Sequence, residues 1–247
     1  MPLVPLVPLV RGWYAGMVWQ VASDRGRDTV NHALEMKKFV VVVAGNIGAG
    51  KSTLVARLSE KLGWMPFYEA VGENPYLADF YRDMPAWSFH SQVFFLARQL
   101  RHQLALAQHP ASVIQDRCIY EDAEIFAANL RLQGALSERD YAVYRELYVA
   151  ILQYLPPPDL VIYLRASVEA LLARITLRGR DFEQAISREY LARLNDLYEG
   201  WIADFTLCPV LTLPTDDLNF VDNEAHLDLI VQKLRDKLAG KEEVVFG

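Results

Sequence analysis

Residues 45–52 read Gly-Asn-Ile-Gly-Ala-Gly-Lys-Ser, in the spacing G-x-x-x-x-G-K-[ST]. Glycines in such a loop let the backbone curl so that its N–H groups face phosphate oxygens. The N-terminus of the following helix adds partial positive charge. In this arrangement Gly45, Asn46, Ile47, Gly48, Ala49 and Gly50 form a phosphate cradle, and Lys51 reaches the β- and γ-phosphates. Ser52 is placed to ligate Mg²⁺, and Thr53 follows in the same turn. The motif implies a bound nucleotide but leaves kinase, switch and motor open.

Three further segments bear on that choice. Glu69 closes the run 66–69, and the end of a parallel strand opens onto a ligand crevice. A carboxylate there can accept a proton from a substrate hydroxyl, although taken alone it reads more readily as a solvated loop acid. Asp116 ends the run 112–116 and supplies a second acid, positioned to hold Mg²⁺ directly or through water. Arg117 beside it stabilises phosphate or pairs with a carboxylate; in isolation, Asp116 and Arg117 fit a structural pair as well. In the third segment Arg174 and Arg178 lie one helical turn apart on one face, and Gly179 frees Arg180 to turn. An arginine-rich lid of this kind neutralises a transferring phosphoryl group when it closes.

These residues need elements to hold them. A β-branched run at 39–44 directly before the glycines predicts a buried parallel strand, and apolar spacing at 52–62 predicts a helix ending at Gly63. Further strands are expected at 66–69, 112–116, 160–164 and 210–213. Helices are expected at 87–108, 120–132, 138–154, 168–177, 188–205 and 225–238. Strands separated by helices imply an α/β fold with a parallel sheet flanked by helices on both faces. Residues 2–10 repeat Pro-Leu-Val three times, which disfavours helix and sheet. Residues 1–35 therefore read as a disordered extension, or as sequence read from too early a start given Met17 and Met36, and 36–247 as one domain.

The 247 residues carry 25 Lys+Arg against 31 Asp+Glu, a net charge of -6. That balance argues against a nucleic-acid partner while allowing a local basic pocket. No apolar run approaches the ~20 residues of a membrane span, so no membrane partner is expected. The 2 cysteines, Cys118 and Cys208, fit a reducing, cytoplasmic setting rather than a disulfide framework.

Taken together, the cradle, the Glu69 segment, Asp116-Arg117 and Leu177-Arg178-Gly179-Arg180 occur in the order and spacing of the deoxynucleoside kinases. The chain resembles that family from residue 39 to at least 220, most closely its bacterial deoxyadenosine/deoxyguanosine kinases through Glu73-Asn74-Pro75-Tyr76-Leu77. The resemblance implies a P-loop fold with an arginine lid, ATP and Mg²⁺, and phosphorylation of a deoxynucleoside 5′-hydroxyl in nucleotide salvage. The acceptor implied is deoxyadenosine, deoxyguanosine or deoxycytidine. It makes Glu69 the general base, and it gives Lys51, Ser52, Arg117, Arg174, Arg178 and Arg180 to phosphates and metal, with Asp116 near Mg²⁺. It assigns Tyr81 to the sugar 3′-hydroxyl with Glu183 as its partner in the lid, and Gln92 and Asp122 to the base, with Phe126 stacking on it. Residues 215–220 resemble the loop beside the donor's adenine, and members are commonly homodimers.

Two positions depart from the pattern. Gln99 stands where related kinases usually carry an arginine, seven residues after Gln92, and Cys118 replaces a usual serine. The alternative enzyme, a nucleoside monophosphate kinase resembling thymidylate kinase, shares the cradle, an Asp-Arg segment and an arginine lid. Glu69 and Gln92 argue against it, because a phosphorylated acceptor needs a cationic clamp rather than a base. A guanine-nucleotide switch is disfavoured because the chain has no Asn-Lys-x-Asp segment.

Overall fold

The computed structural model describes residues 37–68, 73–180, 183 and 186–241. The extension at 1–35 and Glu69 lie outside the described residues. The sheet begins with β1 (Val40–Gly45), whose valines alternate between the two faces. Val41 and Val43 enter one core cluster, Val42 and Ala44 the other. A strand buried on both faces needs such a continuous apolar run, which explains why periodicity alone shows no polar side.

After the loop come α1 (Lys51–Leu62) and the short β2 (Met65–Phe67). Pro66 lacks an N–H, and the sheet accepts it because β2 is an edge strand. Next follow α2 (Leu77–Arg82) and α3 (Met84–Gln108), then β3 (Val113–Asp116). α3 starts three residues earlier than apolar spacing suggests. Asp83 caps it by accepting the Ala86 N–H, and Pro85 sits in its first turn. Residues 119–132 are helical throughout but not uniform. α4 (Ile119–Glu121) and α5 (Ala128–Leu132) flank a π-helical stretch, Asp122–Ala127.

The second half runs α6 (Glu138–Leu152), β4 (Leu160–Arg165), α7 (Val168–Arg178), α8 (Arg188–Asp204), β5 (Val210–Pro214) and α9 (Glu224–Leu238). All strand pairs are parallel, in the order β2-β3-β1-β4-β5. The chain thus leaves β1 first toward one edge and later toward the other. Strand order reverses at β1, and ligands bind outside the carboxyl ends of strands at such a point. On one face α1, α7 and α9 bury Leu54, Leu58, Leu171, Ile175 and Ile230 against the sheet; on the other, α3 and α6 bury Leu96, Tyr144 and Tyr148.

Candidate active site

The register fixes the crevice: Val43 on β1 pairs with Asp116 on β3, and Gly45 with Leu164 on β4. Strand ends therefore deliver the first cradle glycine and the β3 acid to one rim. Gly45, Gly48 and Gly50 all hold positive φ, at 148°, 84° and 98°. A Cβ on Gly48 would lie 2.9 Å from Ile175 Cγ1, so the loop needs glycine there both for its backbone angle and for the close approach of α7. Gly50 caps α1 without a side-chain hydrogen bond, and no acidic residue occupies the first turn. A helix end with neither a side-chain cap nor an acid in its first turn favours an anion there.

Lys51 is buried, and its Nζ donates to the carbonyls of Gly45 at 2.8 Å and Asn46 at 3.0 Å. Asn46 gives only its backbone to the cradle; its side-chain amide donates to Leu191 O and Asn195 Oδ1 and ties the loop to α8. Ala49 is buried in the core, and Thr53 is exposed. Ser52 Oγ donates to Asp116 Oδ2 at 2.5 Å, while Asp116 Oδ1 is buried with no hydrogen-bond partner among the described residues. A hydroxyl and a carboxylate with one uncompensated oxygen form a hard, oxygen-only donor set, so these two residues fit Mg²⁺.

Arg117 has φ +67°, the one non-glycine residue with positive φ among the described residues. Its N–H donates to Val43 O at 3.0 Å, and its guanidinium lies 4.2 Å from the Phe126 ring centroid. The strained turn swings the chain off β3 at the crevice rim, and such strain is usually retained at functional sites. Asp122 and Phe126 both fall in the π-helical stretch, where one extra residue per turn re-aims side chains. Gln92 on α3 is buried, and its Oε1 has no hydrogen-bond partner among the described residues. A buried amide in that condition wants a polar ligand. Tyr81, at the end of α2, is part-exposed with its ring against Phe80.

The lid arginines divide. Arg174 donates to Thr215 Oγ1 at 3.0 Å and to Thr215 O, so it meets the 215–220 loop. Arg178 and Arg180 both donate to buried Glu183, at 2.5 and 3.4 Å. Gln99 is buried as well: Gln103 donates to Gln115, and Gln115 donates to the Gln99 carbonyl oxygen at 3.0 Å.

With this geometry in hand, the sequence profile of the deoxynucleoside kinase family matches residues 41–239. The chain belongs to the deoxynucleoside kinase family. It is 40% identical to the deoxyadenosine/deoxycytidine kinase of Bacillus subtilis, over 80% of this chain and 92% of that one. It is 36% identical to the deoxyguanosine kinase of the same organism, over 79% and 96%. Among solved structures, deoxyadenosine kinase from M. mycoides with products dCMP and a flexible dCDP bound superposes with a TM-score of 0.71 at 33% identity, covering 80% of this chain and 99% of that one.

Two residues of this deoxynucleoside kinase at the cradle escaped the sequence reading. Glu121 and Tyr198 are both fully buried and both contact Gly45. Glu121 lies five residues beyond Asp116, so its proximity was legible; its direction was not. Tyr198 falls on the apolar face of α8 with Leu191 and Leu194 and looks like ordinary core.

Proposed function

We propose that this kinase transfers the γ-phosphoryl group of Mg·ATP to the 5′-hydroxyl of deoxyadenosine, deoxyguanosine or deoxycytidine in nucleotide salvage. The observation that carries the reading is an anion cradle beside an uncompensated Asp116 oxygen, together with a buried Gln92 amide oxygen on α3 that has no hydrogen-bond partner among the described residues. A phosphate-bearing donor satisfies the first, a nucleobase edge the second. The names of the relatives support the acceptor classes.

Phosphoryl transfer needs alignment and charge neutralisation more than covalent catalysis. Ser52 and Asp116 would hold Mg²⁺, which when bound neutralises charge on the phosphates. Lys51 turns from the Gly45 and Asn46 carbonyls to the phosphates, and Arg117, Arg174, Arg178 and Arg180 surround the transferring group. Glu69 takes the proton of the 5′-hydroxyl. Tyr81 and Glu183 hold the sugar, and Gln92, Asp122 and Phe126 hold the base. The enzyme acts in the cytoplasm as a homodimer. Apolar Val143 and Leu147, one turn apart and exposed on α6, support the dimer.

The test is transfer from Mg·ATP to deoxyadenosine, deoxyguanosine, deoxycytidine and thymidine in parallel, with the corresponding monophosphates as controls. Turnover of one or more of the first three is the expected result; turnover of monophosphates alone would overturn the reading. Glu69→Gln should lower kcat about 10²–10⁴-fold with nucleoside binding retained.

A further inference from the structure

Gly45 is held from both sides by side chains that neither the motif nor the lid accounts for. Its N–H donates to Glu121 Oε1 at 3.2 Å. Its carbonyl accepts from Tyr198 Oη at 2.8 Å and from Lys51 Nζ at 2.8 Å. Tyr198 Oη is also 2.7 Å from Glu121 Oε1, and Glu121 Oε2 accepts the Cys118 N–H at 3.0 Å. The Tyr198 ring is fixed by stacking on Tyr163 and by an edge contact with Trp201. The Gly45 carbonyl, with two lone pairs, is therefore filled by Tyr198 and Lys51 together. Where the tyrosine pins that carbonyl, the ammonium finds its resting place.

We infer that Glu121 and Tyr198 are positioning residues of phosphoryl transfer, a buried clamp that sets the first glycine of the cradle and through it Lys51. The inference rests on reading the cradle as the donor's phosphate site.

The donors around residue 121 show why a carboxyl is needed there: Gly45 N–H, Cys118 N–H and Tyr198 O–H all point at its two oxygens. The Tyr198 hydroxyl has one proton and two oxygens within bonding distance. It donates to both, sharing the proton between the Gly45 carbonyl at 2.8 Å and Glu121 Oε1 at 2.7 Å. The same Oε1 still accepts from Gly45 N–H, and Oε2 from Cys118 N–H. Burial raises Glu121 above the usual carboxylate range, although Arg117, Lys51 and the hydrogen bonds from Tyr198 and Gly45 pull the other way. A glutamine cannot do this. With its oxygen toward Gly45 N–H, its amide NH₂ faces Cys118 N–H; reversed, the NH₂ faces Gly45 N–H. One backbone donor is lost either way.

The experiment measures Mg·ATP affinity by calorimetry for the wild-type chain, Tyr198→Phe, Glu121→Gln and the double variant, with KM for the deoxynucleoside and kcat alongside. Tyr198→Phe keeps the stacked ring and removes only the hydroxyl. Each protein is assayed at a temperature where circular dichroism shows it folded. The expected result is Mg·ATP binding weaker by about tenfold in each single variant, the double variant no weaker than the singles, and an unchanged nucleoside KM. Wild-type affinity for Mg·ATP in Tyr198→Phe and Glu121→Gln would overturn the clamp, as would lower kcat with both substrate parameters unchanged, the mark of a smaller folded fraction. A wild-type chain that binds Mg·ATP yet phosphorylates no deoxynucleoside fails the kinase reading, and the binding comparison still decides the clamp.

Discussion

Lys51 is held 2.8 and 3.0 Å from two cradle carbonyls, already poised over the loop that would receive phosphate. Lys51→Met keeps the stem and deletes the charge. It should lower kcat about 10²–10³-fold with little effect on deoxynucleoside affinity, read by steady-state kinetics against both substrates. Cys118 tests burial rather than catalysis. It is fully buried, and desolvation, with the nearby Glu121 carboxyl, pushes its thiol well above the ordinary range. A group raised in the folded state adds stability that is present below the unfolded pKa and is lost as pH rises toward the folded one. The unfolded thiol ionises near pH 8.5, so between pH 8 and 10 this one group should cost about 2 kcal/mol of stability. Cys118→Ser, which does not titrate there, should show a shallower decline by that amount in denaturant titrations under reducing conditions. At this scale the sequence was readable where chemistry is local. Lys51, Ser52 and Asp116 follow from motif and strand end, whereas Glu121 and Tyr198 act across 76 and 153 positions from Gly45, a separation no local pattern encodes.

Between elements, one close joint is the cradle against the lid helix. Gly48 at φ +84° leaves 3.0 Å between a Cβ in its place and Leu171 O, in addition to the Ile175 contact. Gly48→Ala should therefore push α7 off the loop, costing about 1–3 kcal/mol of stability and weakening Mg·ATP more than nucleoside. Thermal melts and the two KM values check this, and an unaltered melt with unaltered ATP affinity would refute it. Ser187 caps α8 by accepting the Tyr190 N–H, so Ser187→Ala should cost about 1 kcal/mol in the same melts. Elements with strong apolar periodicity, such as α1 and α7, were legible to within a residue. The start of α3 was not, because its signal is a cap, Asp83 with Pro85, outside the apolar stripe. α2 went unread because six residues offer less than two turns of periodicity. The π-helical stretch was also invisible, since one inserted residue leaves the composition of a helix unchanged.

At the scale of the molecule, alternation of strand and helix sufficed to predict a parallel sheet, but not its order. Which edge β2 or β5 takes depends on packing between segments far apart in the chain, and β1 becomes central only when β3 and β4 settle on either side. The site inherits that non-locality. Its donor half joins the ends of β1 and β3 with α7 and α8, so the unfolded chain has no cradle to offer. Ligand binding must then appear as global stability, by RT ln(1 + [L]/Kd), about 2.7 kcal/mol at a hundredfold excess over Kd. For a domain of this size that is a rise of about 5–10 °C in the melting midpoint. Mg·ATP should give that rise, and EDTA should reverse part of it, because ATP alone leaves Ser52 and Asp116 without the ion they fit. Lys51→Met should lose most of the shift while keeping the one produced by deoxynucleoside. Equal shifts with and without Mg²⁺ would remove Ser52 and Asp116 from the metal site, and an equal shift in the Lys51 variant would mean that the nucleotide binds elsewhere.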